Sequence, residues 1–384
     1  MPTPSNILNI AYEKASLAST EPIIDNSKIV EQISYVCRYV GNRAIVRLLL
    51  ACSLAKVHKP HVDIRKPYTE IPDTDTYSGR YYDESFITGF VNQHELPCNP
   101  TTAFLTPALR NRNITLTPDI NLVGRPPKLY KTALELLAAV HTGNVLADEL
   151  LAETIRFLLI VRDEKRQRMQ TLLASLQSSE ERIPLSAETI VNLVEQHLNC
   201  RNASRLPVLV VAAAYKAAAE KLGERCLPPE SHNAADEQTG ALGDLEITLM
   251  TNDNVITSYE MKTRRVTQDD IDRFLQKIND TRKRVDNYIF ITTDFIEQQV
   301  KDYAASMYDK TGGIEFVILD CIGFLRHYLH LFHRLRMQFL EAYQALVIAE
   351  PESAVSQPLK EAFLALRQAA ESVEESQPGW TEQP

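Results

Sequence analysis

The sequence lacks the features that mark several common classes of protein. It has only six cysteines, at 37, 52, 98, 200, 226 and 321, without Cys-x-x-Cys spacing. This scarcity argues against a disulfide or zinc framework, so we expect reduced, largely buried thiols. No apolar run reaches the roughly 20 residues that span a bilayer, so we expect no membrane partner. The N-terminal stretch MPTPSNILN has neither the basic start nor the apolar core of a secretory signal, and a cytoplasmic location is expected.

An excess of basic charge is also absent. Lysine and arginine number 41 against 50 acidic residues, a formal net charge of −9. That balance argues against a uniformly basic coat for nucleic acid, but a local basic groove stays possible because binding depends on where charge sits. With 44% hydrophobic and 24% charged residues, the chain is an ordinary globular protein. Its 384 residues leave room for two domains.

The most informative stretch is residues 243–264, GDLEITLMTNDNVITSYEMKTR. Apolar and polar residues alternate from Leu245 to Leu249, which predicts a half-buried strand. Asparagine and aspartate at 252–254 favour a turn, and Val255 to Lys262 forms a second strand. Because side chains at i and i+2 share a strand face, a hairpin brings together Asp244, Glu260 and Lys262.

Two carboxylates and an ammonium meeting at a sheet edge are typical of a divalent-metal site with a charged group beside an attacking water. We expect Mg²⁺, held by Asp244, Glu260 and the Met261 carbonyl, with Glu246 as a further candidate ligand. Lys262 is expected to orient the water or stabilise the transition state. The competing interpretation is a salt-bridge ladder across two strands. Asp236 is either near the site or the cap of a turn.

Regular elements surround this hairpin. An alanine-rich helix at 207–222 precedes it, and Thr267 caps a helix from 268 to about 279. Buried strands follow at 287–293 and 315–319, with a helix at 295–308 between them. The predicted order is αββαβαβ, with a possible short third strand left open, and it indicates a mixed α/β sheet.

The N-terminal half is mainly helical except for residues 63–112, a long segment rich in proline, tyrosine, aspartate and arginine. Long loops of this kind are usually functional or disordered, and the aromatic content argues against disorder. Two interpretations of its tyrosines stay open, namely contacts to DNA and packing of the loop onto the domain. The predicted domains are 1–200, mainly helical with this loop; 201–348, the sheet core; and 349–384, an acidic, partly helical tail.

Four stretches carry a resemblance to a known family: YSGRYYDESFI, LPCNPTTAFLTPALRN, GDLEI and YEMKTRRVTQDDIDRFLQKI. Together they resemble the SacI family of type II restriction endonucleases, from about residue 10 to about 345. The resemblance implies a PD-(D/E)XK core, Mg²⁺-dependent cleavage of a specific site in double-stranded DNA, and a cognate methyltransferase in the host. Position 243 is glycine where the motif's name has proline. Candidate DNA contacts are Tyr77, Arg80, Tyr81, Asn99, Arg110, Arg264 and Arg265.

A homodimer is expected because two-fold protein symmetry mirrors a palindromic site. Two other functions stay open: a PD-(D/E)XK nuclease of modification-dependent or repair type, and a DNA-binding protein with an inactive core. The histidines at 327, 330 and 333 recur every three residues. Their spacing drifts around a helix, which favours a packed or interface helix over zinc.

Overall fold

A computed structural model of the chain describes residues 2–18, 21–39, 41–99, 101–177, 184–227, 242–251, 254–281 and 285–375. The chain divides into two compact units, Met1–Arg168 and Met169–Pro384. None of the described helices combines the length and apolar character that crossing a membrane requires. The cysteines are free thiols, three buried and three half-buried.

The first unit is helical. Its helices are α1 at Pro4–Leu17, α2 at Ser27–Arg38, α3 at Ala44–His58, α4 at Gly79–Tyr82, α5 at Thr88–Gln93, α6 at Pro127–His141 and α7 at Ala147–Gln177, which runs past the division. Short polar side chains begin the first two: Thr3 accepts from the Asn6 amide, and Asn26 accepts from the amides of Lys28 and Ile29. Helix α3 is buried on every side from Ala44 to Ala55, so it is the centre of this unit's core.

The segment expected to be a long loop folds around α3 in short turns. A π-helical turn at Asp83–Ile87 joins α4 to α5, and a 3₁₀ turn follows at Ala103–Leu105. Its aromatic rings pack edge to face, as Tyr82 does with Tyr77 and with Tyr81. The segment is therefore ordered by its own apolar content, as its composition predicts.

The second unit is mixed α/β. Its elements after α7 are α8 at Ala187–Leu198, α9 at Leu206–Leu222, β1 at Glu224–Cys226, β2 at Leu245–Leu249, β3 at Val255–Lys262, α10 at Gln268–Thr281, β4 at Asn287–Thr292, α11 at Gln298–Ala305, α12 at Met307–Thr311, β5 at Glu315–Asp320, α13 at Cys321–Leu331, α14 at Arg336–Ala349 and α15 at Gln357–Glu375. Within the described residues, five strands form one sheet in the order β1-β2-β3-β4-β5. The first three strands are antiparallel, whereas β3, β4 and β5 run parallel. The expected mixed α/β fold is confirmed.

Each face of the sheet is covered by its own core. Leu245, Ile247 and Tyr259 belong to a core shared with α8, α9, α14 and α15. Tyr288 and Phe290 face the other way and belong to a core shared with α10, α11 and α12. The alternation predicted for β3 thus places Glu260 and Lys262 on the α10 face, where the candidate site lies.

The structure adds three details to the expected order. The short third strand that was left open is present as β1, whose three residues are too few for a periodic signal. The helix expected at 295–308 is two helices, α11 and α12, divided at Ser306. The tail expected to be partly helical contains α15 at Gln357–Glu375, which contributes Leu359, Phe363 and Leu364 to the core.

Candidate active site

Strand pairing decides which side chains meet on the α10 face. In β2 and β3, Leu245 pairs with Tyr259 and Glu246 with Ser258. In the parallel pair, Glu260 lies beside Phe290 and Lys262 beside Thr292. Paired residues share a face, so Glu260 and Lys262 lie together at the carboxyl end of β3.

Asp244 reaches this end of β3 from the residue before β2. Its Oδ2 accepts a hydrogen bond from the Met261 amide at 2.7 Å. A strand residue directs its N–H and C=O to the same neighbour, so the Met261 carbonyl also faces Asp244. The carboxylate and the carbonyl predicted to share a metal ion are therefore on the same side of β3.

Gly243 makes this approach possible. A Cβ at this position would lie 2.4 Å from the Tyr259 carbonyl oxygen and 2.6 Å from Ser258 Oγ. Neither alanine nor the proline of the motif's name fits in that space without moving β3. The departure from the motif's name thus has a steric cause in this chain.

Glu260 is held from two sides. Its Oε1 accepts from Lys262 Nζ at 2.6 Å, and its Oε2 accepts from the Tyr288 hydroxyl at 3.2 Å. The Glu260 and Lys262 side chains are 21% and 22% exposed, so the pair is partly shielded from water. A carboxylate has about four lone-pair positions, so each oxygen keeps acceptor capacity after these bonds.

The electrostatics of Glu260 favour a cation beside it. Burial raises the pKa of Glu260, and the negative charge of Asp244 raises it further, while Lys262 and Lys277 act in the opposite direction. Two carboxylates close enough to repel are stabilised when a positive ion lies between them. The ion pair of Glu260 with Lys262 lies within β3 and does not itself bridge β2 and β3.

A pocket of about 220 Å³ opens beside Glu260 and Lys262. Its remaining walls come from α10 and β4: Asp270, Arg273, Phe274, Lys277, Tyr288 and Phe290. Three basic side chains and two acidic ones thus surround an aromatic floor. A pocket with three basic side chains can receive an anionic group next to Glu260.

Glu246 is placed elsewhere. Its Oε1 accepts from the Leu242 amide at 2.8 Å, so this carboxylate secures the start of β2. Among the described residues, no three histidine, cysteine or acidic side chains are gathered closely enough to hold a metal ion. The structure therefore does not bring Glu246 to Asp244 and Glu260. Asp236 lies outside the described residues.

The same finding bears on the three histidines of 327–333. All three are exposed, and His330 Nε2 lies 3.0 Å from Glu188 Oε1 on α8. The alternative of a zinc site finds no support in the described part of this helix.

The two arginines after β3 lie beside acids. Arg264 binds Asp270 through both terminal nitrogens, at 2.9 and 2.7 Å. Burial acts to raise the pKa of Asp270, but hydrogen bonds from Arg264 and Thr267 outweigh it and lower this pKa to about 2. Arg265 pairs with Glu297 at 3.1 Å and is 57% exposed. Both arginines keep surface that a phosphate backbone can contact.

The candidate DNA contacts of the first unit differ in their exposure to solvent. Tyr77 is 3% exposed, and its hydroxyl donates to the Ile64 carbonyl at 2.7 Å. This tyrosine therefore packs the segment onto the domain and is not exposed for contact with DNA. Tyr81 is 55% exposed, and Arg80 is an exposed partner of Glu84. Arg110 is exposed, whereas Asn99 is half-buried and bonds Thr101.

A buried ion pair that the sequence patterns did not reveal joins the two motif stretches of this unit. Arg47 on α3 lies 2.6 Å from Asp83, with the side chains 1% and 0% exposed. Arg47 also donates to the Asn99 carbonyl, and Asp83 accepts from Thr102 and from the Ala103 amide. The available signal is one arginine within the apolar first half of α3, since a buried charge requires a partner.

Residues 183–293 match the family model described as the SacI restriction endonuclease C-terminal domain, a stretch that includes Asp244, Glu260 and Lys262. This stretch is therefore similar to the C-terminal domain of SacI restriction endonucleases, and the resemblance carried by GDLEI and YEMKTRRVTQDDIDRFLQKI is confirmed over it. No curated protein matches the chain.

Proposed function

We propose that the chain is a type II restriction endonuclease that hydrolyses phosphodiester bonds at a specific site in double-stranded DNA with Mg²⁺. The observation that carries the proposal is the meeting of Asp244, Glu260 and Lys262 at the end of β3, within the SacI-family match. The element order helix, three strands, helix, strand supports assignment of the second unit to the PD-(D/E)XK nucleases.

The donor set suits magnesium. Asp244, Glu260 and the Met261 carbonyl would supply hard oxygen ligands, and Mg²⁺ commonly uses one or two carboxylates and keeps several waters. When bound, Mg²⁺ lowers the pKa of a coordinated water and stabilises negative charge on the phosphate. The aromatic floor and the partial burial of Glu260 reduce competition from bulk water at this end of the pocket.

Lys262 acts in two ways at the proposed site, on the Glu260 carboxylate and on the reaction. Its ammonium fixes Glu260 Oε1 in the resting site at 2.6 Å. From the same position it can orient an attacking water or stabilise charge that develops on the phosphate. Because its charge is already in place before the reaction, little reorganisation is needed at the transition state.

Contact with the duplex would come from exposed basic groups. Arg264 and Arg265 lie directly after the catalytic strand, and Arg80, Tyr81 and Arg110 are exposed in the first unit. Neutralised phosphates release counterions, so binding is expected to weaken steeply with salt. Two copies of the chain would match a palindromic site, and a methyltransferase in the host would protect that site on the genome.

The direct test is incubation of the purified chain with plasmid and several long DNAs in Mg²⁺. Discrete, reproducible fragments are expected; smears or intact DNA on all substrates would contradict the proposal. Cleavage only of methylated DNA would instead indicate a modification-dependent nuclease. Binding in Ca²⁺ without cleavage in Mg²⁺ would indicate an inactive DNA-binding protein.

The site assignment is tested by matched substitutions. Glu260→Gln and Lys262→Met should each lower cleavage by at least about 10²- to 10³-fold, the scale of losing one preorganised charge-stabilising group. Glu315→Gln and Lys301→Met repeat the same changes at exposed positions of β5 and α11 and should cleave normally. Folding of all four is compared by circular dichroism. Normal cleavage by a folded Glu260→Gln variant would refute the assignment.

A further inference from the structure

Tyr288 is the one aromatic residue of the α10-side floor whose polar end reaches Glu260 among the described residues. The residue lies on β4 and is 2% exposed. Its ring stacks on Phe274 at an interplanar angle of 22° and meets Phe290 edge to face. Both χ angles are therefore restricted by neighbours, and the hydroxyl has a defined position.

The hydroxyl faces two acceptors. Glu260 Oε2 lies at 3.2 Å and the Leu242 carbonyl oxygen at 3.3 Å. A phenol has one proton to donate, so it cannot satisfy both fully. Lys277 on α10 also donates to the Leu242 carbonyl, at 3.2 Å. Because that carbonyl already has a donor and a carboxylate is the stronger acceptor, the Tyr288 proton goes to Glu260.

Apolar packing alone would not require this hydroxyl. The ring is surrounded by Phe274, Phe290 and Phe316, an environment that phenylalanine at position 288 would fill equally well. The distinctive contribution of tyrosine here is thus the bond to Glu260 Oε2, on the oxygen that Lys262 leaves unheld.

We propose that Tyr288 is a positioning residue for the metal site. Its hydroxyl fixes Glu260 Oε2 while Lys262 fixes Oε1, and the carboxylate keeps the orientation in which it shares a divalent cation with Asp244. The inference rests on the proposed function. Groups that orient metal ligands in this way typically change metal affinity by roughly 10- to 100-fold when removed.

The test compares two tyrosine-to-phenylalanine variants of the full chain. Tyr288→Phe removes the hydroxyl and keeps the stacked ring. Tyr303→Phe, on α11, is the matched variant. It also removes a hydrogen bond from a tyrosine hydroxyl to a carboxylate, in this case the 2.6 Å bond to Asp272 Oδ1 on α10. Calorimetric titration with Ca²⁺, which needs no cleavage, gives the affinity of the site for a divalent cation. Thermal unfolding in EDTA confirms that each variant is folded.

Tyr288→Phe is expected to bind Ca²⁺ roughly 10- to 100-fold more weakly than the wild type, with Tyr303→Phe unchanged. In cleavage assays, the Mg²⁺ concentration for half-maximal rate should rise in step while the KM for DNA stays constant. Equal affinities in both variants and the wild type would overturn the role of Tyr288, and so would equal losses in both variants. A wild type that neither binds Ca²⁺ nor cleaves DNA would instead overturn the proposed function itself.

Discussion

Replacing Gly243 by alanine tests whether the approach of Asp244 to β3 is essential. The new Cβ would lie 2.4 Å from the Tyr259 carbonyl oxygen, a main-chain atom that cannot rotate away. Reaching a separation of 3.0 Å requires the two strands to move apart by about 0.6 Å, the difference between those two distances. Forced insertion of this kind typically costs about 1–3 kcal/mol of unfolding free energy.

The displacement acts directly on the site. Asp244 is the next residue, and its 2.7 Å bond to the Met261 amide would lengthen as the strands separate. A misplacement near 1 Å can cost about 10²-fold in rate, so we expect cleavage to fall by about 10- to 100-fold. Urea unfolding in EDTA gives the stability, and single-turnover cleavage of a short duplex gives the rate.

Gly89→Ala is the matched control. Gly89 lies exposed in helix α5, and a Cβ there meets nothing within 4 Å. Alanine should raise stability by about 0.5–1 kcal/mol because it restricts the unfolded chain, and cleavage should not change. Wild-type stability and rate in Gly243→Ala would refute the steric account of this position.

Three further predictions concern charge. The pKa of Glu260 is raised in the folded state, so the metal-free protein should lose stability as pH rises through that pKa. Thermal unfolding in EDTA should show a smaller loss of stability with pH in Glu260→Gln than in the wild type. Identical pH profiles of the two proteins would argue against the raised pKa of Glu260. Asp83→Asn removes the negative charge beside the buried Arg47 and should lower the free energy of unfolding in urea by about 3–5 kcal/mol. Glu84→Gln removes a charge from an exposed ion pair and should lower that free energy by less than about 1 kcal/mol. Arg265→Ala should weaken DNA binding in Ca²⁺ and reduce the salt slope by about 1, and an unchanged slope would exclude a phosphate contact.

Much of the second unit could be predicted because its signals are local. The two-residue period of a strand predicts that Glu260 and Lys262 share one face, and the pairing of β3 with β4 places them on one face in the structure. The helix expected from 268 begins at Gln268, where the Asp270 carboxylate accepts hydrogen bonds from the Thr267 amide and hydroxyl. Such features depend on neighbours a few residues apart in the chain.

The rest depends on contacts between distant residues. The sequence predicts Tyr288 only as one residue of a buried strand. Its hydrogen bond to Glu260 becomes evident only when β4 lies beside β3 in the structure. Arg47 and Asp83 are 36 residues apart, and periodicity does not indicate such a pair. Glu246 is a local exception, because it shares its strand face with the site but its carboxylate accepts a hydrogen bond from the Leu242 amide, four residues earlier. Sequence patterns thus predict faces, whereas side-chain partners follow from the assembled sheet.

The position of a bound cation tests the proposed metal site most directly. Crystals of the chain soaked in Mn²⁺ would show, by anomalous scattering, where a magnesium-like ion sits. We expect a peak bounded by the Asp244 and Glu260 carboxylates and the Met261 carbonyl, and we expect Glu260→Gln to lose it. Saturating Mn²⁺ with no peak between those carboxylates would show that these residues do not form a metal site.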